Sequence, residues 1–235
     1  MTRAVVFAGP SIFGIDPALL DGLELRPPAG RGDILSAVAD GATAIGLIDG
    51  LFDTLPAVWH KEILYALGRR VPVLGAASMG ALRAAECAAF GMVGVGGIFD
   101  EYAAGARVAD ADVGVAHAPA ELGYQPISVA LVDAEAALDS LHEMEQLDQA
   151  MHRRLLERTR QLHFKQRTWE AVLGVEANHL LDRVLVHPSR KTADALLLLE
   201  RLRHGRLKRP APFVLNLTGY LANLADELGI ELEFA

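Results

Sequence analysis

Ser78 stands between two small residues, Ala76 and Gly80, where the apolar run Val71 to Leu74 gives way to the Ala- and Leu-rich pattern Met79 to Glu86. This is a relaxed form of the small-x-Ser-x-small elbow, which puts a hydroxyl on a sharp strand-to-helix turn. A serine at a helix start has two uses. It can accept a hydrogen bond from the first free backbone N–H groups as a cap, or attack an electrophilic carbon once a base takes its proton. Asp49 ends the apolar run Ala44 to Ile48 and is followed by Gly50, as a turn-former or as one wall of a site. Lys61, the only lysine before Lys165, lies between His60 and Glu62 in an otherwise apolar helical stretch. A cation in the first turns of a helix opposes the helix dipole, so it calls for a partner or a role. Arg83 and Glu86, three apart and on one face with Met79 and Leu82, are the charges of the helix after Ser78; they are expected to pair, or Arg83 to meet an anionic ligand.

The elements that must position these residues read as α/β. Arg3 to Ala8 is a buried-strand candidate running into the loop Gly9-Pro10-Ser11, and Leu23 to Arg26 and Ala44 to Gly50 are further strands. A helix is expected over Gly32 to Ala39, and another capped by Asp53 or Thr54 and running from Ala57 to Leu67. Strand, helix, strand in this order makes parallel crossovers, whose ligand sites gather outside the carboxyl ends of the strands, so the Gly9 loop, Asp49 and Ser78 belong on one edge. The Gly9 loop has neither the G-x-G-x-x-G nor the G-K-[ST] pattern, which speaks against nucleotide binding. Gly91 to Gly97 reads as a glycine-dense loop before a helix at Ile98 to Tyr102, and Val113 to His117 as a strand whose histidine belongs to the core. Ser128 is expected to cap a helix over Val129 to Leu141. Amphipathic helices follow from Leu147 to about Arg203, broken near Gly174 and His187-Pro188; then come a basic linker, a short helix and a last strand over Ile230 to Ala235. The expected architecture is an N-terminal parallel-sheet α/β core, residues 1–120, with a mostly helical half, residues 121–235.

With 235 residues, 51% hydrophobic, the chain can bury a full core. No apolar run reaches membrane-spanning length, so no membrane partner and a cytoplasmic location are expected. The single cysteine, Cys87, rules out an internal disulfide and a cysteine-cluster metal site and reads as a buried thiol; no metal or cofactor is expected. The net charge of −8 hides a division: Met151 to Arg209 holds fourteen basic residues against six acids, near +8, and the remainder is near −16. Such polarity suits regions with different partners, a homo-oligomer joined by opposite faces, or a solvated helical surface. Nucleic acid is disfavoured, because the basic stretch has little aromatic interleaving and the protein is acidic overall.

The segments Ile45 to Gly50, Val58 to Leu64, Gly75 to Glu86, Phe90 to Gly96 and Ala120 to Tyr124 together resemble the TfuA-like family, over about Arg3 to Leu131. The resemblance implies a partner of YcaO proteins in peptide backbone thioamidation, supplying sulfur from the C-terminal thiocarboxylate of a small carrier similar to ThiS, which a Ser–Lys pair hydrolyses to release sulfide. Carried over, the serine is Ser78 and the lysine Lys61. Ser78 would attack the thiocarboxylate carbon, and Lys61, made neutral by burial or by His60 or Arg83, would be the base. The N–H groups opening the Ser78 helix at Met79 and Gly80, with Arg83, would hold the developing oxyanion. Gly9, Gly50 and Gly80, with Ser11 and Asp49 nearby, would admit a slender Gly-Gly tail. The alternative role is a non-catalytic adaptor that binds YcaO and strengthens its hold on the peptide; a generic serine esterase is a third.

Overall fold

The computed structural model describes residues 3–51 and 55–233. Strands β1 (Ala4–Phe7), β2 (Leu23–Arg26), β3 (Ala44–Leu47), β4 (Val73–Ala76) and β5 (Val93–Val95) form one sheet in the order β2-β1-β3-β4-β5. Every neighbouring pair is parallel. The chain is thus α/β, as the sequence implies. β1, β3 and β4 are buried at every residue, the signature of parallel strands covered on both faces. Glycine-dense residues 91–97, expected to be a loop, contain edge strand β5; Gly94 lets the Phe99 ring lie on the strand, since a Cβ there would come 2.1 Å from that ring.

Helices α1 (Asp33–Ala39), α2 (His60–Gly68) and α3 (Met79–Cys87) cover one face, where Ile34, Ile63, Leu67 and Ala84 pack on Val5, Phe7, Ile45 and Leu47. The cap expected at Asp53 or Thr54 lies outside the described residues. Helix α2 starts later than expected, at His60, with Glu62 accepting the Trp59 N–H at its start. Val58 stays outside the helix, and its carbonyl is taken by Arg83 Nε at 3.0 Å.

The connection from β1 to β2 supplies no α-helix, only 3-10 turns at Pro10–Ile12 and Pro17–Leu20. The second face is covered from far along the chain. After α4 (Gly97–Ala103), α5 (Leu131–Glu143), α6 (Gln149–Gln161), α7 (Trp169–Ala177) and α8 (Leu181–Leu185), helix α9 (Arg190–His204) returns to it. Its Ala195, Leu198, Leu199 and Leu202 pack on Val6, Ile48, Leu74 and Ala76. Gly46 is required there: a Cβ would meet Leu202 Cδ1 at 2.7 Å and Leu198 Cδ2 at 2.8 Å. Helix α10 (Gly219–Leu228) lays Leu221 and Leu224 against Leu35 and Tyr65. Residues 131–185 have a cluster of their own around Leu138, Leu155 and Leu173, broken where Gly174 adopts φ 62°.

Two expected strands are absent. Residues 230–233 form none, and 234–235 lie outside the described residues. Residues 113–117 do not join the sheet but run as irregular chain, with one bridge between His117 and Pro126. Ser128 does not cap α5; its Oγ accepts the Ala116 N–H at 2.8 Å and fastens this irregular segment.

Because β1 leaves toward the α9 face while β3 leaves toward the α2 face, the connections part at the carboxyl ends of β1 and β3. Such a parting opens a crevice at the sheet edge. Helix α3 closes on β3 there through Gly80, whose N–H donates to the Ile48 carbonyl at 3.1 Å. A Cβ on Gly80 would sit 1.8 Å from Leu47 O, so Gly80→Ala is expected to destabilise the fold by roughly 3 kcal/mol in urea unfolding. Leu198→Ala, which leaves a cavity on the α9 face, is expected to cost about 2–4 kcal/mol in the same measurement.

Candidate functional site

Ser78 follows a strained turn. Its N–H donates to the Ala76 carbonyl two residues back at 2.8 Å, and the intervening Ala77 adopts φ 65°. This is a γ-turn of the rarer kind with positive φ, unfavourable for a residue bearing a Cβ and of the sort found at functional sites. Ser78 occupies the N-cap position of α3, yet its side chain accepts no capping hydrogen bond. The hydroxyl instead donates to the Val113 carbonyl at 3.4 Å, long for a bond between oxygens, so it is loosely held and free to react. The Ser78 and Gly80 N–H groups are already bonded, to Ala76 and Ile48. Among the described residues the Met79 N–H has no partner. It follows the serine directly, the position from which an elbow turn donates to an oxyanion.

Asp49 is buried at the crevice and ties the two strand ends together. Its Oδ2 accepts the Gly9 N–H at 2.9 Å and the Ser11 N–H at 3.0 Å, and its Oδ1 accepts the Ser11 hydroxyl at 2.7 Å. Three bonds, two from backbone, fix the loop after β1 against the end of β3. Asp49, Gly50 and Ser78 line a cavity of about 270 Å³ with Pro10, Val115, His117 and Lys165. His117, read from sequence as a core residue, is half-buried in this wall. Its Nδ1–H donates to Ala118 O at 2.8 Å. Pro10 and Val115 also border a second cavity, of about 410 Å³, lined by Ser11, Trp169, Asp133 and Lys191.

Lys191 has no counterpart in the sequence reading. It lies in the first turn of α9, 3% exposed, and its Nζ donates to Val113 O at 2.8 Å, the same oxygen that the Ser78 hydroxyl approaches. Asp49 Oδ1 is 4.0 Å from the amine. Burial pushes the Lys191 amine below the ordinary lysine range, against the weaker opposing pull of Asp49 and Asp133. The signal was in the periodicity: Lys191 and Asp194 continue the stripe Ala195, Leu198, Leu199, Leu202, so both charges had to point inward. Asp194 is used structurally, accepting the Gly97 and Ile98 N–H groups at the start of α4.

Lys61, His60 and Arg83, also expected in the site, stand apart from the cavity lining. Ile63, Ala66 and Leu67 turn α2 toward the sheet, and at about 100° per residue Lys61 falls opposite them. It shares the stripe of Tyr65 and Gly68, which meet the C-terminal segment at Glu233, Phe213 and Leu215. Lys61 does not line the serine cavity and has no ion pair or hydrogen bond among the described residues. Arg83 and Glu86 pair at 2.6 Å, as expected, and His60 Nε2 meets the same carboxylate at 2.8 Å. That cluster spans α2 and α3 and contributes nothing to the cavity lining. Met79 is buried against Gly50, Leu82 and Ile98. The room left by the three glycines is taken up within the protein itself. A Cβ on Gly9 would meet Pro28 at 2.6 Å, on Gly50 it would meet Met79 at 2.7 Å, and at Gly80 the Leu47 carbonyl fills the space. Cys87 is buried, and burial raises its thiol to about 11.

Among the described residues no group of His, Cys, Asp and Glu could hold a metal ion, and no helix is long and apolar enough to cross a membrane. No curated protein matches the chain. Residues 49–168 match the family described as TfuA-like protein, a segment that holds Asp49, Lys61, Ser78, His117 and Lys165 and stops short of Lys191. That match spans just over half of the 235 residues, and the chain belongs to the TfuA-like family, which is associated with YcaO partners and peptide thioamidation.

Proposed function

We propose that the protein is a serine hydrolase that cleaves the C-terminal thiocarboxylate of a small ubiquitin-like sulfur carrier, similar to ThiS, and so releases sulfide for a YcaO partner. The observation that carries this reading is the Ser78 hydroxyl: strained turn, no capping bond, and a position on the cavity wall. A serine that only capped α3 would bond the first-turn N–H groups, and this one does not. The cavity suits an extended anionic tail. Lys165 stands in its wall, a cation beside the place where a thiocarboxylate would lose its hydration.

In the reaction, the Ser78 oxygen bonds to the thiocarboxyl carbon, the C–S bond breaks, and the proton lost by the hydroxyl leaves with the sulfur as hydrosulfide. Water then resolves the acyl-serine to a carboxylate and regenerates the hydroxyl. The Met79 N–H and the positive end of α3 are placed to hold the oxygen's charge in both halves.

The test is to mix the protein with a purified ubiquitin-like carrier ending in Gly-Gly thiocarboxylate and to follow sulfide and carrier mass. Wild-type protein is expected to convert the thiocarboxylate to the carboxylate, and Ser78→Ala to lower that rate on the order of 1,000-fold or more. Unchanged turnover in Ser78→Ala overturns the assignment. Should Ser78→Ala still raise thioamidation by YcaO supplied with free sulfide, the adaptor role is the one at work.

A further inference from the structure

We propose that His117 is the base that activates the water which resolves the acyl-serine in the second half of the reaction. The inference rests on Ser78 forming that acyl-serine, as in the preceding reading, and adds the residue that frees it.

The second half makes a demand of its own. Water attacks an ester slowly unless a positioned base takes its proton. It has to arrive from the open side of the crevice, because Ser78 is 5% exposed and its hydroxyl backs onto the Val113 carbonyl. The base therefore belongs in the cavity wall. The described lining of the 270 Å³ cavity holds three side chains that exchange protons, Asp49, His117 and Lys165. Asp49 spends its carboxylate on the Gly9 and Ser11 N–H groups and the Ser11 hydroxyl. Lys165 brings an ammonium, which has no lone pair to offer. Imidazole is the side chain suited to take and return a proton near neutral pH. Each water needs about 30 Å³, so the cavity has room for one beside a slender acyl tail.

His117 is also held as a base should be. Its Nδ1–H is spent on the Ala118 carbonyl at 2.8 Å, and Nε2 has no hydrogen-bond partner among the described residues. Tyr124 packs edge-to-face with the imidazole, ring centroids 5.6 Å apart. The backbone that carries the ring is pinned on both sides. The Ala116 N–H donates to Ser128 Oγ, the Ala116 carbonyl accepts the Ile127 N–H at 2.7 Å, and the Ala118 N–H donates to the Gln125 carbonyl at 2.8 Å. Asp49 and Lys165 border the same cavity, Tyr124 borders the ring, and His117 itself has no ion pair among the described residues. A histidine kept only for packing would be enclosed; this one is half-buried and shares a wall with the nucleophile.

The step balances with water as its one co-reactant. His117 Nε2 takes a proton from water as the water oxygen bonds to the acyl carbon. The bond from that carbon to the Ser78 oxygen then breaks, and the proton passes to the serine and restores its hydroxyl. The acid so formed ionises to the carboxylate and releases a proton to solvent.

The test separates the two halves. In a single turnover of the Gly-Gly thiocarboxylate carrier, sulfide reports formation of the carrier–Ser78 ester, and intact mass reports its loss. His117→Asn keeps an amide donor for the Ala118 carbonyl and lacks the second nitrogen. It is expected to release sulfide within about twofold of the wild-type rate while its ester persists about 100-fold longer. Wild-type ester loss is expected to slow in acid as the imidazole takes up a proton, and His117→Asn to lack that limb. In His117→Ala, added imidazole is expected to speed ester loss, a rescue that a structural role would not permit. Ester loss in His117→Asn as fast as in wild type, equal slowing of sulfide release and ester loss, or His117→Ala left unrescued overturns the proposal. Should the variants fail to fold by circular dichroism, the wild type decides: ester loss that is flat between about pH 5 and 8 overturns it. Wild-type protein that leaves the thiocarboxylate intact refutes the substrate, and p-nitrophenyl acetate then takes the carrier's place. Acetyl-Ser78 that outlasts the wild-type ester in His117→Asn keeps the base, equal decay refutes it, and a Ser78 that is never acetylated refutes base and nucleophile together.

Discussion

The packing of α9 on the sheet is the contact on which the rest of the structure depends. Three of the five strands are buried throughout and the connection after β1 brings no helix, so one sheet face has no cover from its own crossovers. Ala195, Leu198, Leu199 and Leu202 supply that cover. Burial of side chains this size stabilises by about 1.5–3 kcal/mol each for the larger ones. The same stripe ends in two charges at the carboxyl edge of the strands. Asp194 is satisfied by the start of α4, while Lys191 is drawn into the crevice by the apolar residues behind it. The unfavourable burial of an amine is carried by the favourable burial of its own helix.

The crevice combines two kinds of restraint. Asp49 makes the loop after β1 rigid through bonds to Gly9 and Ser11, so the wall opposite the serine is fixed. Ala77, held at φ 65°, stores strain directly beneath Ser78. Close packing compensates for it: Gly80 lets α3 rest on the Leu47 carbonyl, and Gly75 accepts the Gly80 carbonyl in turn. Small residues that look like openings for a ligand therefore serve to bring a helix and a strand together.

Much of the architecture was legible in the sequence. The continuous apolar runs of β1, β3 and β4 and the Ser78 elbow need no tertiary information, and the gathering of the Gly9 loop, Asp49 and Ser78 follows from parallel crossovers alone. What was illegible depended on contacts distant in sequence. Val113 to His117 alternates like a strand, yet the bond from Ala116 to Ser128 holds it outside the sheet. The glycines around Gly94 read as a loop because their use, under the Phe99 ring, is invisible locally. Lys61 drew attention as an isolated cation in an apolar helix, but which side of α2 met the sheet was decided by Ile63 and Leu67. Lys191 sat in a strongly basic stretch where its neighbours masked an inward-facing position; the stripe that begins with it was the sign that distinguished it.

The irregular segment around Val113 has a consequence of its own. A strand paired in the sheet would have spent the Val113 carbonyl on a neighbouring N–H. Left unpaired, that oxygen is available to two side chains that arrive from different parts of the chain, α3 and α9, and it sets their spacing without belonging to either. The backbone here works as a fixed gauge: the Val113 side chain is anchored in the core while the cavity wall is built by Val115, Ala116 and His117, so the wall and the oxygen that spaces hydroxyl and amine are supplied by different residues of one segment.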